Sequence, residues 1–303
     1  MRTLTFLAVT LLAIGSRPAC ASDPKVVQHL QAISCTISAE AGFGTAQGSG
    51  VIKTRVRGGE IINFVWTAGH VVEGLRKTKV IVDKSGVSRT LVEFNDAKII
   101  KTLVEDGRSV GKLEIFAQVI RYSQEQDLAV LRVRQKNFLR DGVDFCLDPK
   151  APAIGTDLLH VGSLLGEMGS NSLTKGTLSQ QGRLVDQQVF DQTTCAAFPG
   201  SSGGGVYLED GRLIGQVLRG AGETFNLIAP ARRIVEWARS ASIAWAVDDA
   251  VPVPPDAELK SLPVEDAGTL GQTAPKAAGH SLKKLTACGC GEKCPCNPCG
   301  CGD

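Results

Sequence analysis

From residue 33 to residue 230 the chain breaks into short apolar or alternating runs, separated by Gly, Asp and Asn turns. The runs fall at 33–38, 48–53, 60–67, 78–83, 88–93, 113–121 and 128–133. A second set falls at 157–162, 173–179, 185–190, 204–208, 212–218 and 225–229. Many short strands at this spacing point to an all-β sandwich or barrel. After them Pro230 suits a first helical position, and Ile234, Trp237, Ala238, Ala241 and Trp245 recur at helical spacing. That stripe is expected to form a C-terminal helix packed on a barrel. Residues 26–32 are a shorter candidate helix; His29 within them is given no role.

Three local patterns lie at the ends of strand-like runs: Thr67-Ala68-Gly69-His70, Asp127-Leu128-Ala129-Val130 and Gly200-Ser201-Ser202-Gly203-Gly204. A serine hydroxyl is a weak nucleophile at neutral pH and needs an adjacent base. A neutral imidazole can take its proton, and a carboxylate behind the ring fixes the tautomer and stabilises the imidazolium. Residues 200–204 also fit the G-x-S-x-G elbow of α/β-hydrolases, but those run Ser, acid, His. The only histidine after Ser202 is His280, in a Pro/Ala-rich stretch. The order His70, Asp127, Ser202 is that of chymotrypsin. With the strand rhythm it predicts two six-stranded antiparallel barrels, base and acid on the first and nucleophile on the second.

Residues 43 to about 236 resemble a trypsin-like serine peptidase of the HtrA type. The resemblance rests on Gly48-Ser49-Gly50-Val51-Ile52 before the histidine, on Val161-Gly162-Ser163-Leu164-Leu165-Gly166 with Leu173–Ser179, and on the closing turn Leu227-Ile228-Ala229-Pro230. It implies His70 as general base and then acid, Asp127 as the orienting carboxylate, and Ser202 rather than Ser201 as nucleophile. Asp127 is preferred to Asp96, Asp106 and Asp144 because the apolar run Leu128–Leu131 follows it. The N–H groups of Gly200 and Ser202 are the expected oxyanion donors. Ala196, six residues before the nucleophile, stands at the expected pocket floor, and Asn226 where the family places a small glycine. An uncharged, partly filled pocket argues against Arg or Lys before the cleaved bond and favours small or medium apolar residues. No cofactor is expected for catalysis. Ser201 replaces the aspartate that zymogens of the chymotrypsin type carry, and no Ile-Val-Gly-Gly stands near the N-terminus, so activation by that mechanism is not expected.

Composition allows a core in a domain of about 200 residues, with 43% hydrophobic residues. A net charge of +2, from 33 basic and 31 acidic residues, makes no electrostatic case for nucleic acid. The basic run Arg76-Lys77-Thr78-Lys79 reads as a solvated turn. Arg2, the apolar run Leu4–Ile14 and Ala19-Cys20-Ala21 read as an export signal over residues 1–21, cleaved before Ser22. No other run is long enough for a transmembrane helix. The mature protein is therefore expected to be periplasmic or secreted.

The expected divisions are a segment 22–32, a protease domain 33–246, a linker 247–285 and a tail 286–303. Pro252, Pro254, Pro255, Pro263 and Pro275 with Ala, Gly and charge suggest a disordered linker. It does not resemble a PDZ domain, so capture of substrates by PDZ is not carried over. In the tail Cys288, Cys290, Cys294, Cys296, Cys299 and Cys301 are spaced by Gly, Pro, Asn and Lys. Such thiolates chelate Zn²⁺ or Cu⁺, and in an oxidising compartment they pair as disulfides instead; both readings stay open. Cys35, Cys146 and Cys195 in the domain cannot all pair with one another. His160, in an apolar run, reads as a core or strand-edge histidine. The leading expectation is an exported serine endopeptidase acting on proteins or peptides. Its rivals are an inactive trypsin-like binding module and a metal-binding protein acting through the tail.

Overall fold

The strand-forming runs pair into two sheets of six strands each. The computed structural model describes residues 22–266, except 43, 83–85, 87, 106 and 221–222. Its strands are β1 (Ser34–Ala41), β2 (Gly44–Arg57), β3 (Glu60–Ala68), β4 (Arg76–Val82), β5 (Ser88–Phe94), β6 (Ala97–Glu105), β7 (Arg108–Ser123) and β8 (Leu128–Val133). There follow β9 (Asp157–Leu164), β10 (Gly169–Val185), β11 (Gln188–Thr193), β12 (Gly205–Tyr207), β13 (Leu213–Gly220) and β14 (Asn226–Pro230). The helices are α1 (Pro24–Ala32), α2 (Gly69–Val72), α3 (Ala231–Ser240) and α4 (Asp256–Ser261).

The first barrel runs β1-β2-β3-β8-β7-β6, with β6 paired back on β1. The second runs β10-β11-β14-β13-β12-β9, with β9 paired back on β10. All these pairings are antiparallel, as expected. Two details differ from the sequence reading. β6 was not foreseen, and β4 and β5 form a separate two-stranded sheet. The run from Arg76 to Lys79 is strand β4, not a turn, with Lys79 paired to Glu93.

Strands β3 and β8 are buried along nearly their whole length, because each has a covered face on both sides. The inner face fills the barrel with Val65, Leu131 and their neighbours, while Trp66 packs edge-on against Trp237 of α3 and donates its indole N–H to the Ala246 carbonyl. This confirms the helix as a packing element. Pro230 ends β14 and precedes the helix, which starts at Ala231. At the other end Asp23 caps α1 by accepting the Lys25 N–H, and Leu30 anchors the helix in the core.

The expected linker is not extended at its start. Residues 247–266 lie along the first barrel. Arg55 donates to the carbonyls of Trp245, Asp248, Asp249 and Val251. Arg57 and Arg132 hold Asp256, Arg76 holds Glu265, and Arg121 holds Asp266. Val253 and Leu259 are buried in the core. Charged barrel side chains that would otherwise be desolvated thus find partners in a segment of irregular backbone. The rest of the linker, with His280, and the cysteine tail lie outside the described residues, as does the signal segment.

Candidate active site

The register of β3 against β8 pairs Thr67 with Ala129 and Ala68 with Leu128. The residues just after β3 and just before β8 therefore meet at one end of the barrel. A side chain at Gly69 would sit 3.1 Å from the Asp127 and Ser123 backbones, so the approach is close. His70 follows on α2, and Asp127 closes the turn after β7. Asp127 adopts φ 52, a left-handed conformation that costs a non-glycine residue energy. Its carboxylate reaches His70 twice. Oδ1 accepts the His70 backbone N–H at 2.9 Å, and both oxygens lie within 3.0 Å of Nδ1. A carboxylate can only accept, so Nδ1 carries the proton and Nε2 keeps its lone pair.

Burial disfavours the charged imidazolium, but the hydrogen bond and charge of Asp127, with the charge of Glu73, outweigh it. Arg219 opposes them, and the net effect raises the His70 pKa above its ordinary 6.5. The strained turn has its own support in Arg233 of α3. Its guanidinium donates to the Gln126 side chain and carbonyl and to the Val189 carbonyl, and it lies 4.8 Å from the Phe190 ring centre. Burial pulls Arg233 down to about 10, against the attraction of Asp127.

Ser202 sits on the loop between β11 and β12. Gly203, at φ 84, has no room for a side chain, which would collide with the Ser49 carbonyl and the Thr67 hydroxyl. Its N–H is held by the Val217 carbonyl at 2.7 Å. Ser201 is buried and turned inward, its hydroxyl accepting the Phe198 N–H. Ser49 stitches this loop to the first barrel. Its N–H donates to the Ser202 carbonyl, and its hydroxyl donates to the Gly200 carbonyl, both at 2.7 Å. The same hydroxyl accepts the Ser163 N–H. The Pro199 carbonyl is held by the Leu165 N–H at 2.7 Å, which turns the Gly200 N–H the other way. Among the described residues the N–H groups of Gly200 and Ser202 have no protein acceptor.

The structure thus joins His70 to Asp127 directly. It brings the Ser202 loop and α2 against the same glycine, because a Cβ at Gly48 would collide with Val71 and lie 3.1 Å from the Ser202 carbonyl. No hydrogen bond joins the Ser202 hydroxyl to His70. Ser49 and Arg233 had no role in the sequence reading. Ser49 stood within the strand pattern before the histidine, and Arg233 lay on the helix stripe's flank, so neither carried a local signal of what it holds.

Ala196 and Asn226 lie on adjoining segments. Ala196 accepts a hydrogen bond from Thr174, and fully buried Asn226 donates to the Cys195 carbonyl at 2.8 Å. His160 is also fully buried, bonded through Nδ1 to the Gly205 carbonyl, and burial lowers its pKa to about 4. It is a core histidine. Cys35, Cys146 and Cys195 are all buried free thiols; burial pushes Cys35 up to about 12 and Cys195 up to about 11. No cluster able to hold a metal ion occurs among the described residues.

Residues 48–215 match the family described as trypsin-like peptidase domain. The chain is 27% identical over 175 residues to a serine protease Do-like HtrA of Lactobacillus helveticus, covering 56% of this chain and 35% of that protein. It is 32% identical over 152 residues to a probable periplasmic serine endoprotease, DegP-like, of Chlamydia muridarum, covering 47% of this chain and 28% of that one. The chain thus spans about a third of the length of these relatives. The fold is similar to that of a serine endoprotease from Yersinia pestis, with TM-score 0.52, 19% identity and coverage of 72% and 65%. It is equally similar to the HtrA-type protease AlgW with tripeptide, with TM-score 0.52, 21% identity and coverage of 72% and 62%. The family match covers more than half of the chain, and the chain belongs to the trypsin-like peptidase family.

Proposed function

We propose that the protein is an exported serine endopeptidase that cleaves protein or peptide substrates through an acyl-enzyme. The observation that carries this reading is the Asp127 carboxylate bonded to both the ring Nδ1 and the backbone N–H of His70, which leaves Nε2 as the base. In the reaction the Ser202 hydroxyl gives its proton to Nε2 as its oxygen attacks the peptide carbonyl. The negative oxygen of the tetrahedral intermediate is received by the Gly200 and Ser202 N–H groups; one such donor contributes roughly 10²–10³ in rate. His70 passes the proton to the departing amine. Water then attacks the acyl-Ser202 ester with His70 again as base, restoring the enzyme. None of these steps calls on a cofactor.

Export rests on the apolar segment at residues 4–14 and the small residues Ala19 and Ala21, and on the name of the Chlamydia relative. No helix among the described residues is long and apolar enough to cross a membrane. Zn²⁺ or Cu⁺ binding and disulfide formation are the two leading readings of the tail cysteines. Metal content of the full chain against one ending near Ala278 separates the two.

Cleavage of unfolded casein by the mature protein tests the function. Activity that disappears in Ser202→Ala and falls at least 10³-fold in His70→Ala is expected. Equal activity in wild type and Ser202→Ala would point to a contaminating protease.

A further inference from the structure

His70 and Asp127 reach each other from two separate elements. α2 and the 3-10 turn Glu73–Leu75 carry His70 and lead directly into Arg76. The end of β7 leads through the turn 124–127 to Asp127. β6 pairs with β7 only as far as Ala117, so beyond that point no barrel strand lies against this edge of β7. An open edge is a place for further chain to pair, and the segment 247–266 takes it. Tyr122 donates its N–H to the Val264 carbonyl at 2.7 Å and pairs in parallel with Glu265. The Glu265 side chain, 3% exposed, reaches the other element and accepts from Nε and Nη2 of Arg76, a two-pronged ion pair. One residue thus grips both elements, by its backbone behind Asp127 and by its carboxylate behind His70.

The neighbours of Glu265 brace it. Arg121 donates to the Pro263 and Glu265 carbonyls and to the Asp266 carboxylate. Asp266 also accepts the indole N–H of Trp237 at 3.0 Å, one helical turn along α3 from Arg233, which holds the 124–127 turn. Burying a carboxylate is costly even when it is paired, and an apolar residue often stabilises as well or better. Covering the barrel therefore gives no reason for an ion pair at this position.

We propose that Glu265 is a positioning residue for the peptidase site, locking the elements that bear His70 and Asp127 in the relation that brings the carboxylate onto Nδ1. It touches neither substrate nor reacting atoms. The inference rests on the endopeptidase reading and adds a residue to that same site.

The test compares Glu265→Gln and Arg76→Gln in the mature full-length protein, by steady-state cleavage of one internally quenched peptide across pH, with Tm measured on each sample. Glu73 and Tyr122 are the other titratable groups beside the pair, and both stay in place. Each variant is expected to lower kcat about tenfold or more through misplacement, with KM nearly unchanged. The Asp127 contact raises the His70 pKa, so loosening it moves the acid limb of the pH profile down in both variants. A charge effect acting through space would move the limb in opposite directions, because one variant loses a negative charge and the other a positive one. Glu265→Asp and Arg76→Lys, which keep the charges but change reach and geometry, take over should an amide variant not fold, with the same fall in kcat expected. Opposite shifts of the limb, or a lower Tm with kcat and pH profile unchanged, would overturn the role of Glu265 and leave the endopeptidase standing. No cleavage by wild type, together with no fluorophosphonate adduct on its Ser202, would overturn both.

Discussion

Ser49 is fully buried and makes hydrogen bonds to the Ser202 carbonyl, the Gly200 carbonyl, the Ser163 N–H and the Thr67 hydroxyl. Removing its hydroxyl frees the Gly200 carbonyl and leaves the Ser163 N–H unpaired, so the proposed oxyanion donors lose their fixed direction. Ser49→Ala is expected to lower kcat by about ten- to a hundredfold, less than loss of a donor itself, with KM nearly unchanged; steady-state kinetics on one peptide checks this. As the proposed base, His70 is expected to govern the pH profile. Its pKa is raised, so the neutral base is lost as pH falls through a value above 6.5. The acid limb of kcat/KM should therefore have its midpoint above 6.5, and a flat profile from pH 5 to 8 would exclude a histidine base. His160 acts on stability with the opposite shift. Its folded pKa, about 4, lies below the unfolded value near 6.5. Stability is full above 6.5 and falls as pH drops toward 4, by roughly 3 kcal/mol for this group. Urea midpoints at pH 7 and 4.5 should differ less in His160→Gln than in wild type. The proposed catalytic pair was legible in the sequence because His70 follows one strand run and Asp127 precedes another, each within a local motif. Ser49 was not, because its function exists only where two barrels meet.

At the scale of elements, α3 does more than cover the first barrel. Arg233 ties the 124–127 turn, and with it the left-handed Asp127, to the helix and to Phe190 of the second barrel. Arg233→Gln is expected to reduce kcat about tenfold or more through misplacement of Asp127 and to move the acid limb of the pH profile. Lysine, which cannot reproduce the fork, should rescue only in part. A pH profile identical to wild type would make the contact purely structural. The helix was read from its apolar stripe, and Arg233 gave no sign because the stripe describes packing and not what flanks it. Strand β6 escaped because Ala97, Ile99, Ile100 and Lys101 are all buried, which breaks the alternation. The hairpin of β4 and β5 misled in the opposite sense. Val80, Ile81 and Val82 alternate poorly and are exposed, at 70%, 46% and 65%, yet their apolar character reads like a barrel strand.

Across the whole molecule, one buried cluster fills the first barrel and reaches into the second, a further cluster around Leu158, Val206 and Ile228 belongs to the second barrel, and the strap from 247 to 266 is part of the fold. Its prolines and absent periodicity suggested disorder, because the contacts that order it are arginines more than a hundred residues away in sequence. Ending the chain at Asp249 instead of Asp266 removes the buried Val253 and Leu259, roughly 3–6 kcal/mol of apolar burial, together with the partners of Arg57, Arg76 and Arg121. A clear drop in Tm is expected by calorimetry, and an unchanged Tm would return the strap to the status of a linker. The central claim is that the fold assembles Ser202 as a nucleophile with His70 as its base. Fluorophosphonate labelling of the mature protein, with the modified peptide mapped by mass spectrometry, tests it most directly. The account predicts an adduct on Ser202, absent in Ser202→Ala and strongly slowed in His70→Ala. A folded protein that takes no label, or takes it on another residue, would contradict it.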